Sequence, residues 1–297
     1  MPGEAYAIAC AFLWALSSTL VKSQTHKMSI VLLGTLRTIP ALIMYWCVLL
    51  FSGRAGEPFQ LPFRIWALFT GSTVVGLVVG DLLYFQSMKV IGLSRAMPIS
   101  TTYPFFTLAF SVLFLDEQFD WIVVVGAVLI AIGAYLLAVS RDAQKGEGDD
   151  RLRQRIDLVG VGLAFVAAVC WAASTVMVRA GLSEVDVAVA NSVRLSILLV
   201  SLLVLLPRQK SALAQIRSYG LRTLAVVFLA GILGMGMGTF TFLAAVKYAG
   251  ATKTSILTAS TPLFGLPFSL LLKEKLSART FIGTVMTVLG VGLALYY

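Results

Sequence analysis

Apolar residues run in long blocks along this chain, separated by short polar connections. A hydrocarbon core of roughly 30 Å takes about 20 apolar residues to cross as a helix, and a helix satisfies its own backbone groups where water cannot. Ten segments meet that requirement, near 4–22, 29–52, 65–88, 94–115, 120–140, 157–179, 185–206, 221–246, 252–272 and 277–297. The fourth and ninth contain proline and many hydroxyl side chains. One connection differs from the rest: RDAQKGEGDDRLRQR, Arg141 to Arg155, is charged and too poor in apolar residues to bury a core, so it reads as a linker between two halves.

The halves repeat one another. Trp14, Ala15, Ser17 and Arg37 recur at a constant offset as Trp171, Ala172, Ser174 and Arg194. After a one-residue slip Gly76, Gly80, Lys89, Gly92 and Pro104 match Gly234, Gly238, Lys247, Gly250 and Pro262. Glu117, Gly126 and Gly133 then match Glu274, Gly283 and Gly290 at the first offset. Because each half holds an odd number of helices, the second must enter the bilayer from the opposite side. The predicted fold is therefore an all-α membrane protein of ten transmembrane helices in two inverted five-helix repeats, 1–140 and 157–297, joined by a charged linker at 141–156. That architecture lets one site face each side of the membrane in turn.

Composition agrees with this reading. Of 297 residues 59% are hydrophobic and 12% charged, against about 25% charged in soluble domains. The net charge of +9 sits between apolar runs instead of forming one basic patch, so membrane topology explains it and nucleic acid is not an expected partner. Lys and Arg concentrate in the odd-numbered connections, which by the positive-inside rule places both termini outside. Cys10, Cys47 and Cys170 lie within apolar runs with no metal-binding spacing. The N-terminal stretch lacks a basic n-region and stays apolar as far as Lys22, which reads as a retained first helix.

An ionisable group at mid-membrane costs at least about 2.5–3.5 kcal/mol and so faces a polar interior with a partner. Arg37, Asp81 and Arg194 are in that position. Asp81, near Tyr84 and opposite the neutral Thr239 in the repeat, suits a proton, a cation or a substrate amine, with Arg37 as its expected partner; a static ion pair is the structural alternative. Arg37 and Arg194 suit a carboxylate or phosphate, or else snorkel toward helix ends. Trp14 with Ser17, and Trp171 with Ser174, each put an aromatic wall and a hydroxyl on one helix face, for a cavity or for packing. Ser100, Thr101, Tyr103, Thr258 and Ser260 cluster near Pro104 and Pro262, where a proline kink would free carbonyls for hydroxyls to satisfy, and they either line a pathway or cap their own backbone. The GxxxG pairs and the glycine stripes of the fifth and tenth helices indicate packing or dimerisation. Glu117 and Glu274 read as interfacial anchors or gate partners. Phosphate-loop, HExxH and GxSxG motifs are absent, so no nucleotide-driven, zinc-dependent or serine-hydrolase chemistry is expected, and no cofactor or metal.

Several of these features resemble the EamA branch of the drug/metabolite transporter superfamily. They are the Trp-Ala-x-Ser pattern followed by a cation (Lys22, Arg179), the Arg of the next helix, the Pro-containing fourth helix ending in Glu117 or Glu274, and the Gly-x6-Gly of the fifth. The resemblance implies ten helices, a central cavity between the first four helices of each half, and a fifth helix used for packing or dimer contacts. It also implies both termini in the cytoplasm, against the charge distribution. Asp116-Glu117 and Lys273-Glu274 depart from the Gly-Glu common in relatives, and Asp81 matches no family motif.

The expected function is secondary active transport, uniport or exchange of a small metabolite such as an amino acid, for example amino-acid export, by alternating access. The expected partners are a small-molecule substrate, a proton or other coupling ion and the lipid bilayer, and the protein is a monomer or homodimer. The expected location is a prokaryotic plasma (inner) membrane. A lipid scramblase or flippase, or a channel, is the alternative.

Overall fold

The computed structural model describes residues 2–22, 28–91, 96, 99–117, 121–139, 150–206, 219–264, 267 and 278–296. Among them there is no strand. The helices are α1 (Pro2–Lys22), α2 (Ile30–Phe51), α3 (Phe63–Ile91), α4 (Tyr103–Leu115), α5 (Trp121–Val139), α6 (Asp150–Gly181), α7 (Val187–Leu205), α8 (Leu221–Ala249), α9 (Ala251–Thr258) and α10 (Ala278–Tyr296). Six spans, on α1, α2, α3, α6, α7 and α8, are long and apolar enough to cross a membrane, and Tyr103–Leu115, Trp121–Gly133 and Phe281–Leu293 are shorter apolar helices. Side chains of the preceding residue cap the starts of α2 and α7. Ser29 accepts from the Leu32 N–H at 3.3 Å and Asp186 from the Ala188 N–H at 2.9 Å, each satisfying an orphan donor of the first turn.

The proline segments are interrupted where the sequence suggests continuous, kinked helices. A turn at Thr101 and Thr102 precedes α4, so Pro104 falls in its first turn, where a missing N–H breaks no intrahelical bond. A turn at Ala259 and Ser260 likewise separates α9 from the short helix Thr261–Phe264 that contains Pro262. The sixth helix also begins earlier than expected, at Asp150, within the segment read as linker. Residues 140–149 and Glu274 lie outside the described residues.

Both long helices α3 and α8 contain a π-helical run, Thr73–Gly80 and Ile232–Gly238. An i→i+5 register leaves a backbone carbonyl without its usual partner, and such irregularities concentrate at functional sites. In a membrane that carbonyl needs a donor, and another helix supplies one each time. Ser17 on α1 donates to Ala230 O at 2.8 Å, and Ser174 on α6 donates to Ser72 O at 2.7 Å. The glycines of these runs permit the approach. A methyl group at Gly80 would stand 3.0 Å from the Trp171 ring and one at Gly238 would stand 2.8 Å from Trp14, while at Gly76 and Gly234 it would collide with Ser174 and Ser17. Antiparallel α1/α8 and α3/α6 pairs result.

The glycine stripes pair within the chain. A Cβ at Gly290 would lie 2.7 Å from Gly126 O, and one at Gly133 would lie 2.7 Å from Gly283 O. The GxxxG and Gly-x6-Gly patterns are thereby consumed by intramolecular contact, which decides between packing and dimerisation for those faces. The outer faces of α5 and α10 show Trp121, Val125, Phe281 and Val288 exposed, an apolar surface that acyl chains would cover and water would not tolerate at this extent.

Candidate functional site

Two polar clusters form where the π runs meet α1 and α6. In the first, Arg37 on α2 donates from Nη2 to Ser17 Oγ at 3.1 Å, so that Ser17 links the guanidinium to the Ala230 carbonyl. The buried Arg37 Nε has no hydrogen-bond partner among the described residues. In the second, Arg194 on α7 donates from Nε to Ser72 Oγ at 3.3 Å, beside the carbonyl that Ser174 satisfies. Arg194 is 3% exposed.

Asp81 begins the α-helical turn directly after the first π run. It was expected to pair with Arg37, but Trp171 Nε1 on α6 donates to Asp81 Oδ1 at 2.9 Å instead. Among the described residues Asp81 and Arg37 form no ion pair within 4.0 Å. The reason is local: Arg37 is anchored at Ser17 on α1, whereas Gly80 brings Trp171 against α3 beside the carboxylate.

Trp171 also collects aromatic neighbours. Its ring centroid is 5.1 Å from Tyr84 and 6.3 Å from Tyr103, the latter edge-on. The Tyr103 hydroxyl donates to Ser255 O at 2.8 Å and lies 2.6 Å from Thr258 Oγ1, tying α4 to α9. Ser100 is buried. The corresponding tryptophan of the first half, Trp14, packs against Phe242 at 5.3 Å. Thus Asp81, Trp171, Tyr84, Tyr103 and Thr258 form one connected group, while Trp14 belongs to a separate aromatic pair.

Other candidate residues act on the backbone. Thr258 donates to Thr254 O at 2.7 Å and Ser260 to Leu257 O at 2.5 Å, the self-capping role of hydroxyls near proline. Thr101 is buried. Glu117 meets no cation among the described residues and serves a neighbouring helix instead. Its carboxylate accepts from the N–H groups of Ala251 and Thr252 at 2.9 and 3.3 Å and from Thr252 Oγ1 at 2.6 Å, capping α9 from the end of α4. Lys253 on the same turn reaches Glu4 at 3.4 Å.

Sequence reasoning missed Tyr45, Asn191, Ser72 and Phe242. Tyr45 donates to Gly236 O at 2.6 Å and accepts from Asn191 Nδ2 at 3.1 Å, joining α2, α7 and the second π run. Asn191 inside an apolar helix was a usable signal for a polar partner. Ser72 gave none, since its role depends on the π register.

The sequence matches the EamA-like transporter family over residues 1–139 and 158–296. The chain belongs to the EamA-like transporter family. This EamA-family chain is 25% identical over 225 residues to an uncharacterized transporter of Archaeoglobus fulgidus, covering 75% of this chain and 74% of that one. It is 28% identical over 136 residues to an uncharacterized transporter of Sinorhizobium sp, covering 45% of this chain and 94% of that one. A solved crystal structure shares its fold with a TM-score of 0.80 at 21% identity, over 99% of this chain and 96% of that one. Family and helices together make this a multi-pass, non-enzymatic membrane transporter.

Proposed function

We propose that the protein is a secondary transporter in which two inverted five-helix repeats, 1–140 and 157–297, move about a site near Asp81 and Trp171. A small metabolite such as an amino acid is exchanged across a prokaryotic plasma membrane. The observation that carries this reading is reciprocity. Ser17 meets Ala230 as Ser174 meets Ser72; Trp14 meets Gly238 as Trp171 meets Gly80; Gly126 meets Gly290 as Gly133 meets Gly283. Contacts exchanged in this way are what a two-fold relation between the halves produces.

The direction of the helices supports an axis in the membrane plane. Gly3, at the start of α1, packs on Ala249 at the end of α8, and Arg179, at the end of α6, donates to Lys247 O at 2.6 Å, also at the end of α8. The repeat-equivalent helices α1 and α6 therefore run in opposite senses, as alternating access by inverted repeats requires. The charged interior supports a polar or charged cargo over a lipid tail.

Solute flux in vesicles reconstituted with the purified protein tests this reading. Uptake of labelled amino acids that saturates, and that accelerates by counterflow when the vesicles are preloaded, is the expected result. Lipid scrambling without saturable solute flux would overturn it, as would conductance without saturation.

A further inference from the structure

Duplication supplies a control inside the molecule: where a role is packing, the two halves have kept it, and where they differ, one half has been given something the other lacks. Around Trp171 three polar groups converge, Asp81, Tyr84 and Tyr103. The repeat offset places Thr239, Phe242 and Thr261 at the corresponding positions beside Trp14. Phe242 keeps the ring contact with its tryptophan and has no hydroxyl. Thr239 has no charge, and its hydroxyl is turned onto its own backbone at Met235 O and Gly236 O. Thr261 likewise donates to Thr258 O at 2.6 Å. The packing serves both halves, whereas the carboxylate and the phenols serve one.

The Asp81 carboxylate is also incompletely partnered for a charge inside a membrane. Trp171 Nε1 is its hydrogen-bond donor, and no cation lies within 4.0 Å among the described residues. Asp81, Tyr84, Tyr103 and Trp171 are each partly open instead of sealed in the core. A single carboxylate beside aromatic faces is poor coordination for a small hard cation, which takes six or more oxygens. It suits an organic ammonium group, which pairs with the carboxylate and rests against the ring faces.

We propose that the corner formed by Asp81, Trp171, Tyr84 and Tyr103 recognises a protonated amino group of the cargo, with Asp81 as its counter-ion and the rings as its walls. The corner's role in transport rests on the secondary-transporter reading, while ligand binding to it does not. The ammonium group could belong to an amino acid or to a plain amine. Arg37, with one of its five N–H donors engaged at Ser17, is the group that would distinguish them by holding a carboxylate.

Isothermal titration of the purified protein tests the corner with three matched sets of probes: leucine and phenylalanine, 3-methylbutylamine and phenethylamine, and 4-methylpentanoate and 3-phenylpropanoate. The expected result is binding of at least one amine-bearing probe that weakens tenfold or more in Asp81→Asn and recovers in part in Asp81→Glu. Affinity for the carboxylates stays within twofold. Binding of the amino acids but not the plain amines assigns the group to a zwitterion, and the reverse assigns it to an amine; both support the corner. Tyr84→Phe, which copies the residue found in the other half, folds without altering charge and weakens amine binding severalfold. No amine-bearing probe binding, equal binding in wild type and Asp81→Asn, or equal loss for amines and carboxylates each overturns the proposal. So does Asp81→Asn that abolishes the pH dependence of flux while leaving amine affinity intact, which would make the residue a proton carrier. Amine binding through Asp81 in a protein that carries no solute in vesicles would instead overturn the transporter reading and leave the corner standing.

Discussion

Ser17 Oγ lies 2.8 Å from the carbonyl oxygen of Ala230, 213 positions away in sequence, where a π-helical run begins. Its counterpart Ser174 does the same for Ser72. Removing either hydroxyl leaves a carbonyl unsatisfied in a low-dielectric interior. Ser17→Ala and Ser174→Ala should each destabilise the protein by about 1 kcal/mol, read as a lower melting temperature in detergent. Ser17→Ala also removes the acceptor of Arg37 Nη2, so it should lose more than Ser174→Ala, and an unchanged melting temperature in Ser174→Ala would argue against the reciprocal contact.

Gly80 and Gly238 hold the two tryptophans at similar distances, 3.0 and 2.8 Å from a methyl group placed there, but with different consequences. Alanine at Gly80 must displace Trp171, whose indole N–H holds Asp81, while alanine at Gly238 displaces Trp14, whose neighbour is Phe242. Overpacking of this kind costs about 1–3 kcal/mol, so both variants should melt earlier. Transport measured at a permissive temperature should fall further in Gly80→Ala than in Gly238→Ala. Equal losses would mean that the Asp81 corner has no special part in transport.

Asp81 and Arg37 make no direct ion pair among the described residues. Residues in direct contact show coupling of about 0.5–3 kcal/mol, and separated residues add nearly independently. A double-mutant cycle on stability with Asp81→Asn and Arg37→Gln should therefore give a coupling at or below about 0.5 kcal/mol. Strong rescue of one change by the other would show a direct ion pair in the populated state.

Glu117 fixes the end of α4 to the start of α9 through three hydrogen bonds. Losing a helix N-terminal cap costs about 0.5–2 kcal/mol. Glu117→Ala should fall within that range in unfolding experiments, and Glu117→Gln, which keeps an acceptor oxygen but loses the charge, should lose less. No change in either variant would show that the cap is not populated in the membrane.

Much of this protein is legible in one dimension, because a bilayer allows few solutions. The starts of α2, α7 and α8 fall within two residues of the apolar boundaries, since crossing a hydrocarbon layer depends on length and apolarity and both are local properties. Glycines at matched positions announced close contact. Asp81 and Trp171 could each be singled out from residue type and depth.

Their relationship could not. Whether Asp81 meets Arg37 or Trp171 depends on which helices lie side by side, and that was set by Gly80 and Gly76 admitting α6 against α3. The glycine stripes of α5 and α10 allowed a dimer until their partners proved to be each other. Prolines 104 and 262 marked irregular helix, but interruption and kink differ only in where the turns fall. The sequence by itself determined the class of protein, its helices and its duplicated pattern, because these follow from composition and period along the chain. Only the tertiary structure decided which hydroxyl serves which carbonyl and which charge meets which ring, because each of those choices is made between segments far apart in the chain.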